Sequence, residues 1–223
     1  MLAVASPTAA SSGAEVGCLC GLSVLVQRNA QSELSAVCAG ECFGTVSDPL
    51  DVFLLTLEEA LFLAAERGVL TVEAPSDGGS RADAGRAAAS VDALFWYGCA
   101  AAIGFPRRYA AYRHLRLKGW VVRPDAVKFG ADFLLYDGPV DKCHAQYAVI
   151  LADAGMQWKE VLLGSRLAQI VAKELLLVLP TRAGAALAAP EPRPGTTSLS
   201  SFLRSPEASV IEVVARQWLP RSG

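Results

Sequence analysis

Histidine is the scarcest chemical group in this sequence, with two in 223 residues, and its scarcity bounds any metal chemistry. Cys18, Cys20, Cys38 and Cys42 form C-x-C and C-x3-C pairs, which depart from the C-x2-C spacing usual for zinc. Cys18 and Cys20 would also point to one face of a strand. Zinc is the minor reading of these thiols; small core residues in a reducing compartment are the major one. Long apolar runs are missing too. The longest uncharged stretch, Ala93 to Phe105, is interrupted by Gly98 and Gly104 and falls short of the roughly 20 residues a membrane helix needs. A soluble protein with no membrane partner is the expectation. Met1 to Gly13 contain no Lys or Arg, hence no signal-like charged region, and an intracellular protein is expected. Walker loops, G-x-S-x-G and G-x-G-x-x-G are absent, as are the Glu-x-Lys and Asp-x-Lys tripeptides of metal nucleases. Nucleotide-dependent and metal-nuclease chemistry recede, and no cofactor or metal is expected.

What is present is apolar material: 52% hydrophobic residues, 19% charged and a mean hydropathy of +0.34. Wholesale disorder needs the opposite composition. The net charge of -2 hides an asymmetry. Residues 1–105 carry 4 basic and 12 acidic side chains, while 106–223 carry 16 and 10. The second half is therefore expected to face a polyanion. Its densest stretch runs from Arg107 to Lys128 and includes Arg108, Arg113, Arg116, Lys118 and Arg123, interleaved with Tyr109, Tyr112 and Trp120. That pattern suits phosphate contacts, with a solvated helix face as the alternative.

The periodicity predicts an α/β (α+β) chain in two parts, a small N-terminal α/β domain over 1–105 and a C-terminal domain over 106–223. Leu19 to Gln27 reads as one strand. Thr56-Leu57-Glu58-Glu59 reads as a capping box opening a helix that Gly68 stops. Val69 to Glu73 is a short strand, and Ala74 to Ser90, with its core at 74–90, reads as a low-complexity linker. Helices are expected over Val91 to Ile103 and Pro106 to Lys118, the second begun by a proline suited to a first turn. Beyond Gly119, Trp120 to Arg123, Phe133 to Tyr136 and Gln146 to Ala152 read as strands of a mixed sheet. A helix over Trp158 to Ala172 packs across it, followed by a buried strand, Glu174 to Leu179. Pro180 to Pro206 reads as a long loop and Ser209 to Gln217 as a last strand.

Chemistry-bearing side chains are few in this apolar setting. Tyr136 ends a strand, His144 lies eight residues on, past a Gly-Pro turn, and Lys173 ends the crossing helix. Cleavage of RNA by its own 2'-hydroxyl needs a proton acceptor, a proton donor for the leaving 5'-oxygen and a cation for the charged phosphorane. Tyr, His and Lys can supply these. Each also has a plain structural reading: an amphipathic strand end, a turn histidine, and a helix-end cation favoured by the dipole.

The run Tyr112-Arg113-His114-Leu115-Arg116-Leu117-Lys118-Gly119-Trp120-Val121-Val122, then Lys128-Phe129-Gly130-Ala131-Asp132-Phe133-Leu134-Leu135-Tyr136, then His144-Ala145-Gln146-Tyr147, resembles the tRNA-splicing (tRNA-intron) endonuclease family. The resemblance is close from Tyr109 to Leu179, extends to the family's N-terminal domain at Pro49 to Val72 and its last strand at Ile211 to Trp218, and is weak before Ser47, through Glu41-Cys42-Phe43-Gly44. It implies a nuclease fold and a catalytic triad of Tyr136, His144 and Lys173. In that triad the tyrosine takes the 2'-hydroxyl proton, the histidine protonates the leaving oxygen and the lysine steadies the transition state. A tyrosine base, normally near pKa ~10, would need a nearby cation such as Lys173. The resemblance further implies that Arg166 and Trp218 sandwich a bulged base, that precursor tRNA is the substrate, and that other endonuclease subunits are partners in a nuclear hetero-oligomer. Within the family the chain is most like the eukaryotic catalytic subunit that cleaves the 5' splice site. A 3'-site catalytic subunit, a non-catalytic assembly module and a restriction-type metal nuclease remain alternatives.

Overall fold

The computed structural model describes residues 14–75, 86–153, 155–180 and 198–216, which form two mixed sheets and their helices. The expected strand from Leu19 to Gln27 is a hairpin instead. Strand β1 (Glu15–Cys20) turns through Gly21 (φ 59) and Leu22 into β2 (Ser23–Gln27), with Cys20 opposite Ser23. Three elements between this hairpin and the capping box were not anticipated. Helix α1 (Glu33–Gly40) is capped by the Ser32 hydroxyl, and strands β3 (Thr45–Ser47) and β4 (Val52–Thr56) follow.

The capping box forms as expected. It opens α2 (Leu57–Phe62), which continues as a π-helical turn through Arg67 and stops at Gly68, in the left-handed region. Strand β5 (Leu70–Pro75) runs parallel to β1, and Arg86–Ala89 forms an antiparallel edge strand, β6. Both ends of the expected linker are thus sheet, paired through backbone groups that a low-complexity sequence still supplies. Its middle, 76–85, lies outside the described residues. The first sheet has the order β3-β4-β2-β1-β5-β6.

Helix α3 (Val91–Ala101) and helix α4 (Phe105–Leu117) cross at Gly98, where an added Cβ would lie 2.3 Å from the Phe105 ring. The second sheet contains β7 (Val121–Arg123), β8 (Phe133–Tyr136), β9 (Tyr147–Leu151), β10 (Glu174–Pro180) and β11 (Val210–Ala215), in the order β11-β10-β9-β8-β7. β9 and β10 are parallel, joined by α5 (Trp158–Ile170). The expected loop from Pro180 to Pro206 also contains a helix, α6 (Leu199–Arg204), whose Leu199 and Phe202 are buried. Residues 181–197 are outside the described set.

Alternation along the strands of the second sheet divides its two faces. Phe133, Leu135, Val149, Leu176 and Val178 join Tyr109, Tyr112, Phe62 and Leu61 in one core that continues to the first sheet. Leu134, Ala148, Leu175 and Leu177 face the other way, under Ala168 of α5, with Phe129 and Tyr136 at the margin. Of the thiols read as core residues, Cys38 is buried; Cys18 is half-buried and Cys20 exposed, because β1 turns both outward from Leu19. No helix among the described residues is long and apolar enough to cross a membrane.

Candidate active site

The second sheet brings the three candidate residues to one end of adjacent strands. Leu135 pairs with Tyr147, and Tyr147 pairs with Glu174, so Tyr136 lies just beyond this row on β8 and Lys173 just before it on β10. Gln146 bridges the two: its N–H donates to the Leu135 carbonyl (2.8 Å), and its own carbonyl accepts from the Glu174 N–H (3.0 Å). Two inter-strand steps of about 4.8 Å put the Tyr136 and Lys173 backbones about 10 Å apart. His144 stands two residues before Gln146, in the loop that returns from β8 to β9.

That loop is closed at several points. The N–H groups of Lys142 and Cys143 both donate to the Pro139 carbonyl (2.9 and 3.1 Å), and the Gln146 side-chain amide donates to the Asp137 carboxylate (2.7 Å). His144 is exposed, with no hydrogen-bond partner among the described residues, and is free to meet a ligand. Lys173 is half-buried. Helix α5 ends at Ile170, and Ala172 then takes a left-handed conformation (φ 54). Lys173 therefore follows the helix rather than ending it, and Arg166 and Lys173 do not share a continuous helix face. The Lys173 ammonium donates to the Val171 carbonyl (3.1 Å) and lies 5.6 Å from the Phe129 ring centre.

Tyr136 is half-buried against the α5 side of the sheet. Burial pushes its phenol above the usual tyrosine range; Arg123 opposes that, while Asp125 and Cys143 add to it. Arg123 is a cation that bears on the Tyr136 phenol; the Lys173 ammonium, the cation expected there, donates to the Val171 carbonyl and lies beside the Phe129 ring. Sequence reasoning did not single out this role, although Arg123 stands in the strand next to Tyr136.

Most of the basic stretch from Arg107 to Lys128 is engaged within the chain. Arg108 pairs with Glu58 and Asp132, and Arg113 binds Glu66 through two contacts (2.5 and 3.2 Å). Arg116 is 8% exposed and donates to the Tyr112 hydroxyl and to the carbonyls of Glu41 and Val122. Lys118 holds the Glu212 carboxylate at 2.8 Å, and Arg107 donates to the Leu151 carbonyl. Arg113, Arg116 and Lys118, read from sequence as phosphate contacts, join α4 to its neighbours through these contacts. Arg166 is different: it is exposed on α5, without a hydrogen-bond or ion-pair partner among the described residues. Trp218 lies outside the described residues.

A sheet carrying Tyr, His and Lys at one end, with an apolar helix behind it, defines a candidate acid–base site for phosphodiester cleavage. Residues 105–186 match the family described as tRNA intron endonuclease, catalytic C-terminal domain. That segment belongs to the tRNA-splicing endonuclease family. The chain is similar to the tRNA-splicing endonuclease subunit SEN2 of Eremothecium gossypii, 32% identical over 179 residues, which cover 77% of this chain and 45% of that protein. It is also similar to subunit Sen2-1 of Arabidopsis thaliana, 30% identical over 117 residues, covering 50% of this chain and 45% of that protein. Subunit Sen2 of Rattus norvegicus is 32% identical over 133 residues, covering 55% of this chain and 26% of that protein. The aligned region spans less than half the length of each of these relatives.

Proposed function

We propose that this chain is a catalytic subunit of a tRNA-splicing endonuclease that cuts precursor tRNA at an intron boundary, the 5' splice site. In this reading a 2'-hydroxyl attacks the adjacent phosphate without a metal, giving a 2',3'-cyclic phosphate and a 5'-hydroxyl. The observation that carries it is the common location of Tyr136, His144 and Lys173 at one end of the β8-β9-β10 sheet, inside the segment matched by the catalytic domain. Tyr136 and His144 form the proton-transfer pair, and Lys173 meets the charge that develops on the phosphorane. The phenol, raised by burial, draws on a cation to act as the base.

The same reading includes a catalytic unit over 106–223 beside an N-terminal unit over 1–105, partner subunits in a nuclear hetero-oligomer, and Arg166 as an RNA contact. An edge strand such as β11, which exposes Ile211, Val213 and Val214, suits a protein partner.

The test is cleavage of intron-containing precursor tRNA by the reconstituted complex in EDTA, with analysis of the product ends. His144→Ala should slow one cut by roughly 100- to 10,000-fold while RNA binding holds. Normal cutting of both sites by that variant would overturn the catalytic reading and favour a scaffold, and loss of wild-type activity in EDTA would favour a metal nuclease.

A further inference from the structure

Strand β7 is the outer edge of the second sheet beside β8, with Val121 opposite Tyr136 and Arg123 opposite Leu134. Val122 and Leu135 fill the main core, so Arg123 projects on the opposite face, the face of Leu134 and Tyr136, as a diagonal neighbour of the tyrosine. Its guanidinium is permanently charged and its side chain is 14% exposed.

The group is also fixed in place. It donates to the Gly44 carbonyl (2.5 Å), the Cys42 carbonyl (3.4 Å) and the Thr45 hydroxyl (3.1 Å), and pairs with Asp125 at 3.4 Å. The carbonyls come from a tight bend in which Cys42 and Gly44 both take positive φ. A cation tied this way cannot swing into solvent, and its field on the phenol is a standing one.

We propose that Arg123 is a positioning residue for Tyr136, and that Arg123 and Asp125 together set the electrostatic bias on its phenol from outside the reacting groups. The segment Cys42–Thr45, from the first half of the chain, holds that bias in place. The proposal rests on the reading of Tyr136 as a proton-transfer group. The charged and titratable groups facing the phenol are Arg123 and Asp125 from the β7 side and Cys143 from the loop; their signs are opposed. Asp125 is largely exposed and shares the guanidinium, so its removal unmasks the cation, whereas loss of Arg123 leaves the acid and the buried surroundings unopposed.

The test places 3-fluorotyrosine at position 136 of the full chain and follows its titration by fluorine NMR without RNA. Arg123→Gln should move the midpoint to higher pH, Asp125→Asn to lower pH, and Arg123→Lys, which keeps the charge, should stay nearer wild type. The limb of the cleavage pH–rate profile assigned to Tyr136 should follow with the same signs. A purely structural role gives no reason for opposite shifts, so shifts of one sign, or none, overturn the proposal. Should Arg123→Gln fail to fold, Asp125→Asn decides alone: a midpoint that does not fall is a refutation. Normal cleavage by Tyr136→Phe would instead sink the catalytic reading, and the RNA-free titration keeps the two failures apart.

Discussion

Replacing Glu59 with alanine tests the joint on which the Arg123 clamp depends. The Glu59 carboxylate is 1% exposed and accepts two backbone N–H bonds, from Thr56 and from Gly44, each at 2.9 Å. The first closes the capping box of α2, and the second holds the bend whose carbonyls grip Arg123. Removing the acceptor leaves two N–H groups unpaired at roughly 1 to 3 kcal/mol each, so the loss is about 2 to 6 kcal/mol. A single domain has about 5 to 15 kcal/mol to lose. Burial pushes the Glu59 pKa up, against the pull of the Thr56 and Gly44 N–H groups. A raised folded value means the folded chain keeps its proton to higher pH than the unfolded chain, near ~4.3, does. The stabilisation attributable to this group is therefore fullest in acid and shrinks as pH rises through that window. Urea unfolding of the full chain at pH 5 and pH 7 measures both effects. Glu59→Ala should lower the midpoint at both, and by more at pH 5, while Glu59→Gln, which keeps one acceptor oxygen, should fall between it and wild type. A midpoint for Glu59→Ala within about 1 kcal/mol of wild type would refute the reasoning.

Two further outcomes follow from the same structure. Glu212 on β11 is engaged by Lys118 and by His114 (2.7 Å); burial alone would raise its pKa, but these hydrogen bonds outweigh it and leave it below the usual carboxylate range. Its contribution is present above the unfolded value and lost as pH falls through the folded one. Glu212→Gln should therefore cost about 1 kcal/mol at neutral pH and little in strong acid, as read by unfolding at pH 7 and pH 3. Equal cost at both would exclude an ionic origin. Arg166→Ala should slow cutting chiefly at the site whose catalytic triad belongs to a partner subunit, since a base stacked on a guanidinium contributes roughly 1 to 3 kcal/mol. Site-resolved cleavage showing loss confined to the cut proposed for Tyr136, His144 and Lys173 would contradict that arrangement.

Features encoded by a few neighbouring residues were legible in the sequence. The Thr56–Glu59 capping box, Pro106 at the start of α4 and the β9-α5-β10 crossover each announce themselves within one or two turns of chain. Features that depend on distant partners were not. β1 and β2 read as one strand because Gly21-Leu22 interrupts an otherwise continuous apolar run, and only the pairing of Cys18 with Leu25 reveals the hairpin. β4 passes directly into α2 with Thr56 as the junction, leaving no breaker to mark its end. β6 is Arg-Ala-Ala-Ala, a segment whose strand character comes from pairing with β5. Phe202 of α6 stacks on Phe95, more than a hundred residues earlier, which the Pro- and Ser-rich sequence around it does not suggest. Residue type and family pattern single out Tyr136, His144 and Lys173, and strand order brings their positions to one end of the sheet; the placing of Arg123 beside Tyr136 was not legible, because strand register decides it.

Charge shows the same division. The excess of acid before Pro106 and of base after it suggests a basic surface for a polyanion, yet much of the excess is mutual. Arg108 reaches Glu58, Arg113 reaches Glu66, Arg116 reaches the Glu41 carbonyl and Arg123 the Gly44 carbonyl. Two ion pairs and two carbonyl contacts thus join the halves of the chain across α4 and β7, so these cations act as internal fasteners. The cations of the second half without ion-pair partners among the described residues include Lys128, Lys142, Lys159, Arg166 and Lys173. Lys128 and Lys173 both lie near the Phe129 ring, Lys142 shares the loop of His144, and Lys159 and Arg166 are on α5. Pairing offsets the long-range field of Arg108, Arg113 and Lys118, whereas unpaired exposed charges keep theirs. An anionic chain approaching this protein is therefore expected to meet the His144 loop and α5 before α4, and charge reversal at Lys142 or Arg166 should weaken its binding more than charge reversal at Arg113.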